Sequence, residues 1–284
     1  MTVGVVGAGL MGGAMVERLR TLGHAVRVCD VDPSARERAR AAGATLAEAP
    51  ADLAGCEAVI VAVVDGAQTH RVLSGPRGLA EALPAGTAVL LCPTISPEDV
   101  ERAAAALAAR GIACIDAPMS GGPARARDGT MSLMVACDDA AWLRWQPLMA
   151  ALASRLFRVG TRPGDGARTK LVNNLLAAIN LAGAAEALRL AEALGLDAAV
   201  TLDVIEQSSG QSWIASDRAR RVLAGDTAPR AAMGLLAKDS ALALAAAQGA
   251  GLALPLGREA AEAFAAACRA GLADADDSAL WRGR

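Results

Sequence analysis

The segment Gly7-Ala8-Gly9-Leu10-Met11-Gly12 stands directly between the apolar run Thr2 to Val6 and a helical pattern that reaches about Leu22. Three glycines at this spacing, between a strand and a helix, constrain the chain more than any other feature. Gly7 permits a tight turn, Gly9 lets a phosphate approach the backbone, and Gly12 lets the helix pack closely on the strand. The helix so opened offers N–H groups and the positive end of its dipole to an anion. A second apolar run, Ala25 to Cys29, ends at Asp30, eighteen residues beyond Gly12. A carboxylate there accepts the hydroxyls of an adenosine ribose. A strand-end carboxylate that merely faces water fits the same position.

This arrangement predicts a Rossmann dinucleotide-binding domain, with Gly7, Ala8, Gly9, Leu10, Met11, Gly12 and Asp30 as cofactor-binding candidates. Asp30 favours NAD over NADP, whose 2′-phosphate it would repel. Further apolar runs follow at Ala58 to Val64, Ala88 to Cys92, Ile112 to Ile115 and Met131 to Ala136, with helical segments at Pro33 to Gly43 and Pro97 to Arg110. Alternation of this kind predicts an α/β fold, a doubly wound parallel sheet with right-handed crossovers. After Gly160 the pattern changes. Gly166 to Leu194, Ala198 to Ser208, Trp213 to Leu223, Ala231 to Gln248 and Leu256 to Ala270 all read as helix, and no strand is evident. The Gly/Pro-rich stretch from Gly160 to Gly166 marks the boundary. The expected organisation is a Rossmann domain over 1–163 and an all-helical domain over 164–284, the latter contributing to a substrate cleft and to oligomerisation.

Composition removes several alternatives. A net charge of -2 does not suit a chain whose main partner is nucleic acid. The longest uncharged run, Ser240 to Gly257, is broken by Gln248, Gly249, Gly251 and Pro255, and reads as helix, turn and helix rather than a membrane span. The chain enters a strand at once, without a signal-peptide pattern, so a cytoplasmic protein is expected. The six cysteines form no CxxC pair, which predicts free thiols and no metal site. There is no tyrosine, and the histidines are His24 and His70 alone. A Tyr-plus-Lys proton relay is therefore excluded, and a lysine or carboxylate is the expected proton-transfer group.

Two more segments carry chemistry. Asp116-Ala117-Pro118-Met119-Ser120-Gly121-Gly122-Pro123 follows the strand Ile112 to Ile115 and offers a hydroxyl and unobstructed backbone N–H groups. Such groups bind a carboxylate, although a plain turn fits equally well. In Gly164-Asp165-Gly166-Ala167-Arg168-Thr169-Lys170-Leu171-Val172-Asn173-Asn174, Lys170 falls early in a long, otherwise apolar helix. Asn174 lies four residues on and shares its face. A lysine partly desolvated in a cleft serves as general acid/base. A solvated surface lysine is the plain alternative.

Together these segments, with LLAKDSALAL near the C-terminus, resemble the β-hydroxyacid dehydrogenase family in order and over nearly the whole chain. The resemblance implies Lys170 as catalytic acid/base with Asn174, and Ser120, Gly121, Gly122 and Asn173 on the substrate. It further implies Val64, Asp65 and Thr94 along the cofactor and Lys238 at its nicotinamide end. It also implies a homodimer or homotetramer. Trp213 fits either the substrate pocket or the helical core. The retained lysine favours alcohol over imine chemistry, and 284 residues are too few for the large helical domain of 6-phosphogluconate dehydrogenases. Some segments are similar to 3-hydroxyisobutyrate dehydrogenases and others to L-threonate dehydrogenases. Ala136-Cys137 replaces a usual Gly-Gly, and Ser240 replaces a usual leucine, which implies altered packing near the site. The expected activity is NAD-dependent oxidation of a small 3-hydroxy acid. The alternatives are a semialdehyde or imine reductase, and a non-catalytic dinucleotide-binding module.

Overall fold

The structure, a computed structural model, describes residues 1–282, so the last two residues of the expected 164–284 domain lie outside the described residues. The chain divides into two compact units, Met1–Lys170 and Leu171 onward. This division falls inside the long helix Asp165–Ala193, because Ala167 in its first turn packs into the core of the N-terminal unit.

That sheet has nine strands: β1 (Thr2–Val6), β2 (Ala25–Cys29), β3 (Thr45–Leu46), β4 (Ala58–Val61), β5 (Ala88–Leu91), β6 (Ala113–Asp116), β7 (Met119–Ser120), β8 (Met131–Ala136) and β9 (Ala153–Gly160). Its order is β3-β2-β1-β4-β5-β6-β8, with β7 and β9 also paired to β8. The strands from β3 to β6 are all parallel. The order reverses between β1 and β4, and ligands of open α/β sheets bind at such a switch point, beyond the carboxyl ends of the strands. β4 and β5 are buried along their whole length, which explains why they read as continuous apolar runs.

The sheet is dominated by parallel pairs, as expected, and departs from them at β8, which is antiparallel to β6 and β7. After Asp116 the chain passes Pro118, continues along β8 as β7, and turns back through the short helix Gly122–Asp128. This turn reverses the chain, and β8 returns antiparallel. Parallel pairing resumes at β9, reached through the helix Asp139–Leu152. Neither element stands out in the sequence. Pro147 lies inside that helix, and the exposed Arg155 and Arg158 interrupt β9. Charged residues on an edge strand also discourage pairing with another chain.

The second unit holds the rest of the long helix and the helices Ala198–Glu206, Trp213–Leu223, Met233–Gly249 and Pro255–Ala267. Among the described residues it has no strand, only an isolated bridge between Ala232 and Asp276. Ala178 and Leu181 from the long helix pack with Met233, Leu236, Ala260 and Phe264. A buried ion pair, Arg221 Nη1 to Asp276 Oδ1 at 3.1 Å, ties the C-terminal segment to this core. By length and composition alone the long helix could cross a membrane. Its inner face, with Ala178, Leu181, Ala185 and Leu188, is buried in the helical core.

Candidate active site

The glycine-rich turn has the geometry its spacing predicts, and each glycine is there for a different reason. Gly7 has φ +87°, and a Cβ on it would lie 2.7 Å from the Ala62 carbonyl oxygen. At Gly12 a Cβ would stand 1.9 Å from the Gly7 carbonyl oxygen, so helix and strand pack as they do only through glycine. At Gly9 a Cβ would meet no protein atom within 4 Å. Packing therefore does not demand glycine there, whereas close approach of a pyrophosphate does. Gly9 is the N-cap of the helix Leu10–Thr21 and supplies no side-chain cap, and Leu10 is exposed beside it. These residues fit the dinucleotide.

Asp30 lies at the end of β2 and faces this turn. Its Oδ2 accepts from the Ala8 N–H at 2.5 Å and its Oδ1 from the Asp32 N–H at 2.8 Å. Val31, next to it, is 99% exposed. Val64 and Asp65 follow β4, and Thr94 follows β5, so all three sit at the carboxyl edge of the sheet. Val64 is exposed, and Thr94 is half-buried. Asp65 also has a local task, since its carboxylate accepts from the Gln68 N–H at 2.7 Å and caps the helix Gly66–Ser74.

Ser120 ends β7, paired opposite Ser132 of β8. Gly121 (φ +132°) and Gly122 (φ +74°) then turn the chain into the helix Gly122–Asp128. A Cβ on Gly122 would meet nothing within 4 Å. Ser120 thus stands at the same sheet edge as the glycine-rich turn. Lys170 closes the N-terminal unit and is only 8% exposed, so the solvated-surface alternative is set aside.

Asp116 carries no role that its local sequence announces. It is 1% exposed at the end of β6, and its Oδ2 accepts from the N–H groups of Gly164 (2.9 Å) and Ala167 (3.1 Å). The Gly166 N–H faces it as well. Burial pushes the Asp116 carboxyl up to about 6, against the opposing pull of these N–H groups. Across the sheet Asp116 pairs with Ala136, and the fully buried Cys137 follows, so the Ala-Cys substitution does lie in the packing around this carboxylate.

In the helical unit Asn174 donates through Nδ2 to Asp239 Oδ2 at 2.6 Å and accepts from Asn173 Nδ2 at 3.0 Å. Lys238 Nζ pairs with Asp239 Oδ1 at 2.7 Å. Asp239 is therefore the organiser of this cluster, although in the sequence it stands out only as the neighbour of Lys238. Ser240 is fully buried and returns its hydroxyl to the Leu236 carbonyl at 2.7 Å, so the unusual polar residue is satisfied within its own helix. Trp213 begins its helix and is 57% exposed, which rules out the core alternative. The cysteines are all free, and no cluster of metal-ligating residues occurs among the described residues.

Fold and turn together define a dinucleotide-dependent oxidoreductase. Residues 2–160 match the NAD-binding domain of 6-phosphogluconate dehydrogenase, and residues 164–283 match the family described as NAD-binding of NADP-dependent 3-hydroxyisobutyrate dehydrogenase. L-threonate dehydrogenase of Cupriavidus necator is 36% identical over 98% of this chain and 94% of its own length. NAD-dependent L-serine dehydrogenase of Pseudomonas aeruginosa is 33% identical over 98% and 96%. The crystal structure of a 3-hydroxyisobutyrate dehydrogenase from Salmonella typhimurium superposes with a TM-score of 0.91 at 35% identity, covering 99% of both chains. The chain belongs to the β-hydroxyacid dehydrogenase family. It is an enzyme, and the non-catalytic alternative falls away.

Proposed function

We propose that the enzyme oxidises a small hydroxy acid of the threonate or 3-hydroxyisobutyrate kind, with Lys170 as general base and NAD preferred to NADP. The buried Lys170, one turn past the capped start of its helix, carries this reading. NAD, held by the glycine-rich turn and Asp30, would supply the hydride acceptor for the carbinol carbon. Lys170 takes the hydroxyl proton, so that the C–H electron pair can leave as the C=O bond forms. Ser120 and the N–H groups of Gly121 and Gly122 hold the substrate carboxylate and fix which hydrogen points toward the nicotinamide. Asn174, its amide oriented by Asp239 and Asn173, keeps one N–H for the substrate. Trp213 lines the substrate side, and Lys238 serves the nicotinamide end.

The exposed Leu176, Leu190, Leu194, Val200 and Val204 of the helical unit support a homodimer or homotetramer. Free thiols suit a reducing cytoplasm, and no nucleic-acid or membrane partner is invoked.

The test is a panel of threonate, 3-hydroxyisobutyrate, glycerate and 3-hydroxypropionate, each assayed with NAD and NADP. At least one acid gives NADH formation with NAD clearly ahead; equal efficiency with both cofactors contradicts the role of Asp30. The double variant Asp30→Asn, Val31→Arg keeps an acceptor for Ala8 and places a cation at an exposed position. It shifts the NADP/NAD ratio of kcat/KM upward by about tenfold or more, the scale of one charged hydrogen bond. Asn174→Ala lowers kcat by about tenfold and leaves NADH affinity unchanged in a fluorescence titration. Lost NADH binding would place Asn174 on the cofactor instead.

A further inference from the structure

We infer that Asp116 is a positioning residue: its buried carboxylate seats the turn that carries Lys170, and catalysis depends on that carboxylate being ionised. The inference rests on the proposed role of Lys170 and deepens it.

The contacts lie wholly within the N-terminal unit. One oxygen of Asp116 gathers the N–H groups of Gly164 and Ala167, with that of Gly166 beside them, and these are orphan donors of the long helix's first turn. An anion at that end is also favoured by the helix dipole. Gly166 sits so close that a Cβ on it would lie 2.7 Å from the Met134 carbonyl oxygen and 2.8 Å from the Asp116 carboxyl carbon. The start of the helix is thus pressed onto the ends of β6 and β8. Lys170 follows Ala167 by three residues, one helical turn on. Where Asp116 holds the first turn, it holds the lysine.

The energetics separate this role from ordinary stabilisation. Were the three N–H groups enough to offset burial, the carboxyl would sit below its ordinary value. It sits above, at about 6, with burial as the largest cause and Asp165 adding to it. The folded state therefore binds the Asp116 proton more tightly than the unfolded state does. The stability linked to that proton is present at low pH and is lost as pH rises through about 6. At neutral pH the ionised group costs stability, yet it is the ionised group that grips the turn most strongly. Burial raises the thiols of Cys92 (to about 12), Cys114 and Cys137 (to about 11), so they stay neutral. Asp165 is occupied by Arg162 and Arg168, and Arg168 also pairs with Glu101.

Asp116→Asn keeps an acceptor oxygen and removes the charge. It lowers kcat by about tenfold or more, the scale of a misplaced catalytic group. Cofactor KM is unchanged, and Tm at neutral pH is equal to or above the parent's. The parent's kcat falls as pH drops through about 6, whereas its thermal stability does not fall, and the variant loses that acidic limb of kcat. In the parent this step near pH 6 is a second one, below and separate from the alkaline limb that Lys170 sets, so it stands as the test even if the variant does not fold. Full activity in Asp116→Asn with the acidic limb intact overturns the inference. So does a variant with lowered Tm and an unchanged kcat per folded molecule, because Asp116 would then be structural only. A Lys170→Ala enzyme that stays active overturns the reading of Lys170 itself, whatever Asp116 does.

Discussion

Lys170→Ala lowers kcat by on the order of a hundredfold or more, the usual scale for a positioned acid/base. NADH binding is unchanged, because the glycine-rich turn and Asp30 belong to other elements of the sheet. Few groups can substitute for the lysine. The chain has no tyrosine, and its histidines are poorly placed for the task. His24 precedes β2, its carbonyl held by Arg20 at 2.6 Å, and His70 is an exposed residue of the helix Gly66–Ser74. Lys170→Arg fails as well, since a guanidinium does not give up its proton near neutral pH. The parent enzyme's activity rises along an alkaline limb as the lysine deprotonates, and both variants lack it. Steady-state kinetics across pH on the best acid of the panel checks all three statements. Retention of most activity in Lys170→Ala contradicts the mechanism.

The second large effect separates two glycines that the sequence pattern treats alike. Gly12→Ala forces a methyl group to within 1.9 Å of a backbone oxygen, and neither the helix nor the turn can yield without parting. It costs about 1–3 kcal/mol of stability, the scale of overpacking, and it weakens NADH binding as well. Gly9→Ala adds its methyl to open space and leaves Tm unchanged. That space is where the pyrophosphate approaches, so NADH affinity nonetheless falls, roughly ten- to a hundredfold for a clash of the same size. Thermal unfolding and an NADH titration on the two variants read the difference directly. Gly9→Ala with undiminished NADH affinity would remove the pyrophosphate from this turn.

The parts of the fold legible in the sequence are those whose signal is local. β1, β2 and β8 begin and end where their apolar runs do, and Trp213–Leu223 spans its full helical pattern. β3 and β7 have two residues each, too few to carry a period. The helix Asp139–Leu152 and the strand after it were obscured by an internal proline and by arginines facing solvent. The site divides along the same line. Glycine spacing, Asp30 and Lys170 announce themselves within short motifs. Asp116 acts on a turn 48 to 51 residues away, and Asp239 acts on Asn174 across 65 residues. Partnerships of that length leave no local pattern, and only the folded chain brings them together.

The most direct test of the central claim is to supply the best hydroxy acid of the panel with deuterium on its carbinol carbon and follow the label. The proposed reaction transfers that deuterium to the nicotinamide ring, one per acid oxidised, and yields the oxo acid in equal amount. Reduced cofactor that carries no deuterium, or no reduced cofactor with any hydroxy acid tested, would contradict it.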